Sequence, residues 1–387
     1  MIFQAIPVVA WCTAAVFAIR PLKLPRRVAA LTFFVLALAF GKFAFFAIVG
    51  GDAFNPILPQ TVIWAYGWVY ATAMLFTAMA FAVFFADGGL RLLRCHVSLR
   101  AKRVRAVVLA VSAAALAVWG MYEGLRIPDV RKIEMSWREL PASFDGYRIV
   151  HLSDLHCSPA ARHPRFEKIV ERVNALHPDL IAITGDFVDG TVGERADDLA
   201  PLANLRAKDG VWGCTGNHEA YWNWYGWADK FREWDVRIMS ELNNYSGRVI
   251  RRGNDAIAIG GLHDPAFYYD NTWRSAKLAF STIPPGAFRI LLYHRPKTEE
   301  IKSEEADVRL QLSGHTHGGA MPVLRWLVEH YNEGRSRGVY EFAPGRFLHL
   351  SPGTGQWAGF PLRFFIPTEI TEITLRSTAK GGTAHGE

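Results

Sequence analysis

The stretch that decides the fold of this 387-residue chain is QLSGHTHGG, at residues 311–319. An apolar run that starts at Val308 predicts a β-strand, and two histidines and three glycines stand at its end. Glycine lets the backbone approach a ligand closely, and imidazole is a common metal ligand. This combination at the end of a buried strand indicates that an ion or another ligand binds there.

Four further polar groups end apolar runs in the C-terminal part of the chain. They are SDLH at 153–156, GDFVD at 185–189, GNHE at 216–219 and His294. A helical pattern from Phe166 to Leu176 separates the first two runs, and the order strand, helix, strand predicts buried, parallel sheets. Ligands bind beyond the carboxyl ends of such strands, so we expect these polar residues to meet at one edge.

The spacing within two of these groups also carries information. Asp154 and His156 are two residues apart, so on extended backbone their side chains would point to the same side, and His315 and His317 repeat this spacing. An isolated Asp-x-His pair or buried histidine is usually structural. Five such groups in order, each ending an apolar run, favour a shared ligand site.

Together these motifs resemble the series that characterises the calcineurin-like metallophosphoesterase superfamily. The resemblance covers about residues 146–376 and is strongest to the membrane-attached or exported bacterial branch. The stretch VNALHPDLIAITGDFVDG at 173–190 and a late GTG at 353–355 are similar to sequences of that branch. The fold that this resemblance implies is a four-layer α/β/β/α sandwich of two sheets.

The resemblance also implies a centre of two divalent metal ions. One ion would be held by Asp154, His156, Asp186 and His317. The other would be held by Asp186, Asn217, His294 and His315, with Asp186 bridging the two. This set of oxygen and nitrogen ligands suits Mn, Fe or Zn, among which the sequence does not choose. Two such ions would activate a bridging hydroxide for attack on a phosphodiester or phosphomonoester.

Family analogy assigns further roles around this centre. His218 would be the catalytic residue, the general acid that protonates the leaving oxygen. Asp189 and His151 are candidates for orienting the ligands, although a plain structural role suits both equally. Arg295 is a candidate contact for an anionic substrate, or simply a solvated charge. We interpret Cys157 and Cys214 as two small buried residues, with a disulfide as the alternative.

The first third of the chain differs sharply from the rest in charge. Residues 1–125 contain 11 of the 43 Lys and Arg residues but 3 of the 36 Asp and Glu residues, whereas the remaining 262 residues contain 32 and 33. Four apolar stretches there are near or above the ~18–20 residues that cross a bilayer. They predict four transmembrane helices, at 2–19, 28–49, 61–86 and 104–122. The net charge of +7 therefore reports on topology, and no nucleic-acid partner is expected.

Basic residues are concentrated in the linkers after the first and third stretches, while the linker at 50–60 has none. The positive-inside rule then predicts a multi-pass protein of the inner or cytoplasmic membrane, with its N-terminus and catalytic domain on the periplasmic or extracellular side. If the Ala-rich fourth stretch does not insert, the domain would face the cytoplasm. Lys42 lies within the second stretch. We expect it to reach towards the outer surface, the alternative being a functional intramembrane cation.

We therefore expect a transmembrane domain at 1–122, a connector at 123–147, a metallophosphoesterase domain at 148–377 and a flexible tail at 378–387. The predicted function is that of a membrane-anchored phosphohydrolase with an envelope or lipid-linked phosphate ester as substrate. The alternative is a non-catalytic binding or scaffold module of the same fold, attached to a membrane sensor. Aromatic residues at 221–227, with Phe231 and Trp234, predict either core packing or an amphipathic lip at the membrane.

Overall fold

The computed structural model describes residues 23, 25–95, 97–239, 247–267, 275–303 and 306–378. The chain divides into two compact units. One unit contains Met1–Glu123 and Ala358–Leu362, and the other contains Gly124–Trp357 and Arg363–Glu387. The first expected span, at 2–19, and nearly all of the expected tail, from residue 379 onward, lie outside the described residues.

The first unit is helical. Its described helices are α1 (Arg26–Phe40), α2 (Lys42–Gly50), α3 (Gln60–Leu92) and α4 (Leu99–Leu125). Two helices of the described chain are long and apolar enough to cross a membrane, namely Gln60–Leu90 within α3 and the whole of α4. The second expected span is instead divided into α1 and α2 at Gly41. α1 ends at Phe40, and Gly41, between the two helices, still donates its N–H to the carbonyl of Ala37 at 2.8 Å.

Lys42 does not reach outward as we expected. Its side chain is buried, and Nζ donates a hydrogen bond to the carbonyl of Ala358 at 2.7 Å. The rings of Phe43, Phe46 and Tyr70 lie 5.1–5.6 Å from Nζ. The ammonium group is thus compensated within the first unit by one carbonyl and by the electron-rich faces of three rings.

Two six-stranded sheets form the second unit. The first contains, in spatial order, β1 (Asp129–Trp137), β12 (Glu369–Ser377), β2 (Arg148–Leu152), β3 (Leu180–Thr184), β4 (Val211–Cys214) and β5 (Val236–Ile238). The second contains β10 (Gly338–Ala343), β11 (Arg346–Leu350), β9 (Val308–Ser313), β8 (Phe288–Leu292), β7 (Asp255–Gly261) and β6 (Arg248–Arg252). Strands β2 to β5 pair in parallel, as do β7, β8, β9 and β11, which confirms the expected strand direction.

The two sheets pack face to face over a shared apolar core. Ile149 and Leu180 of the first sheet and Ile257 and Ile290 of the second are fully buried in it. Burial of one such side chain contributes about 1.5–3 kcal/mol. The resulting mixed α/β fold with two sheets agrees with the expected class.

Helices cover the outer faces of both sheets. α5 (His163–Asn174), α6 (Val192–Leu199) and α7 (Trp224–Glu233) pack on the first sheet, and α8 (Ala276–Ala279) and α9 (Glu299–Ser303) pack on the second. The remaining helix, α10 (Pro322–Tyr331), follows β9 along the chain. The order of layers in this unit is therefore α/β/β/α.

The segment that we expected to be a connector, residues 123–147, contributes a strand to the first sheet. β1 pairs in parallel with β12 along its whole length, from Asp129 opposite Glu369 to Trp137 opposite Ser377. It is an edge strand, and most of its side chains are at least partly exposed. Because its side chains are mostly polar, a search of the sequence for apolar runs does not detect this strand.

The aromatic segment around α7 is mostly core. Trp224, Trp227 and Phe231 are buried against the first sheet, with Trp234 beside them. Tyr221 and Tyr225 are each 60% exposed. The structure confirms core packing for most of these rings, so a lip made of the whole segment is wrong.

Candidate metal centre

The residues expected to bind metal follow five strands of the two sheets. Asp154 and His156 come after β2, Asp186 after β3, Asn217 after β4, His294 after β8, and His315 and His317 after β9. These strands lie side by side in their sheets, β2-β3-β4 in one and β9-β8 in the other. The carboxyl ends of both sheets thus deliver side chains to one place.

Six of these seven side chains fall into two groups of possible ligands, and a third group, His156, Asp189 and His218, adds no further expected ligand. Asp154, His156 and His317 make one group and Asp186, His294 and His315 the other, with the ligand atoms of each group within 4.8 Å of one another. Nε2 of His156 is 3.1 Å from Nε2 of His317, and Nε2 of His294 is 3.3 Å from Nδ1 of His315. In each group two ring nitrogens therefore face the same point, as ligands of one ion do.

Asp186 lies between the two groups. Its Oδ2 is 3.7 Å from Nε2 of His156 in the first group and 3.2 Å from Nε2 of His294 in the second. Its Oδ1 accepts a hydrogen bond from the backbone N–H of His218 at 2.9 Å. One oxygen of this carboxylate is thus shared by both groups, which is the position a bridging ligand needs.

The hydrogen bonding of the Asn217 side chain indicates whether these residues fit metal ions. Its side chain is buried, and its Oδ1 has no hydrogen-bond partner. A buried acceptor without a donor costs about 1–3 kcal/mol, and a cation would remove that cost. The donor set of carboxylate, imidazole and amide, without Cys, fits Mn, Fe or Zn.

The backbone at the ligands is strained. Five of the seven expected ligands are non-glycine residues with a positive φ, namely Asp154 (51°), His156 (44°), Asp186 (53°), His315 (73°) and His317 (48°). Such conformations are uncommon outside glycine and cost of order 1 kcal/mol or more each. Our expectation of extended backbone at 154–156 and 315–317 is therefore wrong, since β2 ends at Leu152 and β9 at Ser313. Tight loops, not strands, bring these side chains together.

Two glycines allow the loops to approach so closely. A Cβ atom at Gly216 would collide with the carboxylate of Asp186, and one at Gly314 would collide with the hydroxyl of Ser153. The GNHE and GHTH motifs thus need glycine at these positions because neighbouring loops occupy the space of a side chain.

Hydrogen bonds orient the imidazoles. Nδ1 of His294 donates to the carbonyl of Thr184 at 2.7 Å, and Nδ1 of His156 is 3.2 Å from Oδ2 of Asp189. In both rings Nε2 is therefore the nitrogen left to bind an ion. Asp189 also contacts Nδ1 of His218 at 2.5 Å, so it serves one expected ligand and the expected general acid.

Buried carboxylates raise the pKa of two histidines in the site, and burial lowers the pKa of a third. Burial alone would lower the pKa of His218, but the carboxylates of Asp186 and Asp189 raise it to about 10. Burial likewise opposes the charged form of His294, whose pKa Asp186 raises to about 10. The pKa of His315 falls to about 3, mainly through burial, which leaves it neutral. The carboxylates thus create a strong local demand for positive charge.

Sequence analysis missed Arg363, which contacts an expected ligand. Its side chain is fully buried, and Nη2 lies 2.9 Å from Nδ1 of His317. A guanidinium group can only donate, so Nδ1 of His317 is the acceptor. The proton of the neutral His317 ring then lies on Nε2, which faces His156, so an ion bound at Nε2 would displace this proton to solvent and leave an imidazolate beside the Arg363 cation. Nothing in the local sequence around Arg363 indicates this contact.

Glu219 and Asp264 were also missed. The buried carboxylate of Glu219 accepts hydrogen bonds from the backbone N–H groups of Asp186, Phe187 and Gly216 at 3.0, 2.7 and 2.7 Å. Its position in the GNHE motif was the available signal. Asp264 forms a two-armed ion pair with Arg295, at 2.8 and 3.0 Å. Arg295 is therefore not simply a solvated charge.

His151 touches none of the expected ligands directly. Its Nε2 is 2.8 Å from Oγ1 of Thr184, which donates to Oγ of Ser153, and that hydroxyl donates to Oδ2 of Asp154 at 2.6 Å. His151 is thus linked to Asp154 through two hydroxyl groups.

The two cysteines near the site are free. Cys157 and Cys214 are both buried, which agrees with their interpretation as small core residues rather than a disulfide.

Comparison with known proteins agrees with this geometry. The family model described as calcineurin-like phosphoesterase matches residues 147–319. Residues 147–319 form a calcineurin-like phosphoesterase domain. Every ligand position discussed above falls inside this phosphoesterase domain, whereas Arg363 lies beyond the matched residues.

Several curated proteins resemble the chain beyond the matched domain. The Danio rerio transmembrane protein with metallophosphoesterase domain is 30% identical over 283 residues, which cover 70% of this chain and 63% of that protein. An uncharacterized metallophosphoesterase of Helicobacter pylori is 30% identical over 262 residues, 66% of each chain. The metallophosphoesterase YkuE of Bacillus subtilis is 28% identical over 70% of this chain and 94% of its own. The chain spans 59–63% of the length of its animal relatives.

Proposed function

We propose that this chain is a membrane-anchored, metal-dependent phosphohydrolase that cleaves a phosphodiester or phosphomonoester. The observation that carries the proposal is the position of Asp186 Oδ2, between two groups of ligands and 3.9 Å from Nε2 of His218. Two helices of membrane-spanning length and composition support anchoring. The name of the Danio rerio relative, a transmembrane protein, supports it as well.

In this proposal Asp154, His156, Asp186 and His317 hold one divalent ion, and Asp186, Asn217, His294 and His315 hold the other. When bound, two such ions neutralise the phosphate and supply an activated water as nucleophile. The residues of the chain position the ester and handle the proton. Asp189 fixes His218 through Nδ1, so the N–H at Nε2 points towards the shared oxygen of Asp186. From there it donates a proton to the leaving oxygen as the P–O bond breaks.

The finer proposal is an envelope or lipid-linked substrate, with the domain on the outer side of the membrane. Two aromatic rings stand beside the proposed acid. The centroid of the Tyr221 ring is 5.5 Å from that of His218, and the centroid of Trp357 is 6.1 Å from it. An aromatic wall next to the reacting group suits a phosphate ester with an apolar part.

The proposal is tested with the full chain in detergent, stripped of metal and then given Mn²⁺, Fe²⁺ or Zn²⁺. We expect hydrolysis of a chromogenic phosphodiester or phosphomonoester that depends on the added ion. Asp186→Asn should abolish it, and the matched control His330→Ala, an exposed histidine outside the site, should leave it unchanged. Mass spectrometry of envelope lipids incubated with the protein then identifies the substrate class.

The alternative of a binding or scaffold module makes a different prediction. It predicts that the chain binds Mn²⁺ with the same ligands but hydrolyses no ester with any divalent ion. That combination of results would favour the scaffold over the enzyme.

A further inference from the structure

We infer that Arg363 is a positioning residue for His317, and that it ties this ligand to the loop from Pro352 to Ile366. The inference rests on the metal centre proposed above and adds a residue to it that lies outside the five motifs. The inference is based on the hydrogen bonds of the buried Arg363 guanidinium group, which join this loop to His317.

All five N–H groups of Arg363 have an acceptor. Nε donates to Oε1 of Gln356 at 2.7 Å, and Nη1 donates to the carbonyls of Pro352 and Ile366 at 2.8 and 3.3 Å. Nη2 donates to the carbonyl of Gly355 at 2.8 Å and to Nδ1 of His317 at 2.9 Å. Four contacts therefore hold the loop in its folded shape, and the fifth reaches the metal centre.

The same loop also holds Asp154, the partner of His317 in the first group of ligands. The backbone N–H of Thr354 donates to the carbonyl of Ser153 at 2.7 Å, and that of Gly355 donates to the carbonyl of Asp154 at 2.9 Å. The loop is thus fastened to Asp154 by its backbone and to His317 by Arg363. It fixes the distance between two ligands that come from different sheets.

The late GTG motif fits this role. Gly353 has a φ of 92°, and a Cβ atom there would lie 3.1 Å from Nη2 of Arg363 and 3.4 Å from Nδ1 of His317. A Cβ atom at Gly355 would collide with the carbonyl of Leu155. Both glycines are needed because the loop passes too close to the ligands for a side chain.

Burying the Arg363 cation is energetically unfavourable unless its charge is compensated. The acceptors of Arg363 are four neutral oxygen atoms and one ring nitrogen, so the charge is only partly compensated within the contacts themselves. Lysine cannot replace it, because a single ammonium group has three donors and no planar fork. The arrangement is therefore specific to arginine.

The test measures Mn²⁺ binding by titration calorimetry to the metal-stripped full chain in detergent. Loss of a residue that orients a metal ligand typically costs about 10–100-fold in affinity. We expect Arg363→Lys to raise the Kd of one of two Mn²⁺ sites by about this factor and to leave the other site within about twofold.

Arg165 provides a matched control. It is also a buried arginine that holds the same loop, since Nη2 donates to the carbonyl of Thr354 at 3.0 Å, while its other contacts are the carbonyls of Leu125 and Arg126. Arg165→Lys should lower the thermal midpoint but keep both Mn²⁺ affinities. An equal loss of Mn²⁺ affinity in both variants would mean that Arg363 acts only by stabilising the loop, and would overturn the inference.

Two further results separate this inference from the proposed function. If the unaltered chain binds no Mn²⁺, the metal centre itself is wrong and the inference falls with it. If the unaltered chain binds two ions and Arg363→Lys binds them equally well, only the inference is wrong. Should Arg363→Lys fail to fold, Gln356→Met decides, because it loosens Nε of Arg363 without removing the guanidinium. We expect it to weaken the same site, and unchanged binding would contradict us.

Discussion

His218 is the residue whose role the geometry makes easiest to test. With Nδ1 committed to Asp189, only Nε2 can deliver a proton. General-acid catalysis contributes typically 10²–10⁴-fold, but only when the leaving group needs the proton. We therefore expect His218→Ala to reduce kcat by about that factor for an alkyl phosphate ester and far less for a nitrophenyl ester. Equal losses on the two esters would show that His218 does not act as the acid.

Glu219 holds Asp186, the proposed bridging ligand, without being a proposed ligand itself. Its carboxylate accepts the N–H groups of Asp186, Phe187 and Gly216, which belong to two different loops. Removal of a buried acceptor leaves donors unpaired at about 1–3 kcal/mol each. We expect Glu219→Ala to lower the unfolding free energy by about 3 kcal/mol or more, measured by denaturant titration of the full chain, and to weaken Mn²⁺ binding. Glu167→Ala, an exposed glutamate of α5 outside the site, should do neither.

Single residues also show how far the sequence could lead. The expected ligands follow apolar runs, so their order along the chain was enough to group them, and the resemblance to a known family then assigned their roles. Arg363 is 46 residues from His317 and carries no motif, so its contact exists only after folding. The positive φ angles at Asp154 and His317 were also out of reach, because Asp and His do not require such a conformation.

At the scale of elements, a pair of histidines joins the two sheets. Nδ1 of His151 on β2 lies 2.8 Å from Nδ1 of His349 on β11, and both rings are fully or almost fully buried. An ionised Asp154 can only accept a hydrogen bond, so Ser153, Thr184 and His151 each donate towards it in turn. His349 must then donate to His151. A continuous chain of hydrogen bonds thus runs from His349 in the second sheet to Asp154, a proposed ligand that follows a strand of the first.

This pair predicts a loss of stability in acid. Burial lowers the pKa of His151 well below its ordinary value and that of His349 to about 3. In the unfolded chain both bind protons near pH 6.5, so the stabilisation is complete above that pH and is lost as the pH falls. Between pH 6 and pH 5 the two groups together should cost roughly 2 kcal/mol of unfolding free energy.

Replacement of one ring isolates this effect from other titrating groups. His349→Gln keeps a donor for His151 but cannot take up a proton, so the pair's share of the pH dependence should fall by half. The measurement is the unfolding free energy at pH 7, 6 and 5 for the chain and its variant, by urea titration. An identical pH dependence in both proteins would contradict the assignment of neutral, buried histidines.

Elements were predictable where an apolar pattern existed. The runs before SDLH, GDFVD and GHTH became β2, β3 and β9, because buried parallel strands are apolar on both faces. β1 was not predicted, because it is an edge strand rich in charged residues. The break between α1 and α2 escaped because one glycine inside an apolar stretch does not by itself end a helix.

At the scale of the whole molecule, the net charge is distributed unevenly between the N-terminal third and the rest of the chain. The basic excess belongs to residues 1–125, whereas the rest of the chain is close to neutral. The demand for positive charge in the phosphoesterase domain is therefore local, set by the carboxylates around His218 and His294. A substrate would be selected by this centre and not by the global charge.

The charge division also predicts which side of the membrane the domain occupies. Arg91, Arg94 and the basic cluster at 100–105 lie between two stretches of spanning length, so this linker should be cytoplasmic and residue 125 should be outside. In a bacterial host, a periplasm-dependent phosphatase reporter fused after Leu125 should be active, and a fluorescent protein that folds only in the cytoplasm should be dark. The same reporters fused after Ser98, inside the linker, should give the opposite pattern.

Replacing Arg100, Lys102, Arg103 and Arg105 by glutamine should weaken the preference for this orientation, because the cytoplasmic location of the linker depends on these charges. Phosphatase activity after Ser98 but not after Leu125 would place the phosphoesterase domain in the cytoplasm, where an envelope substrate could not reach it.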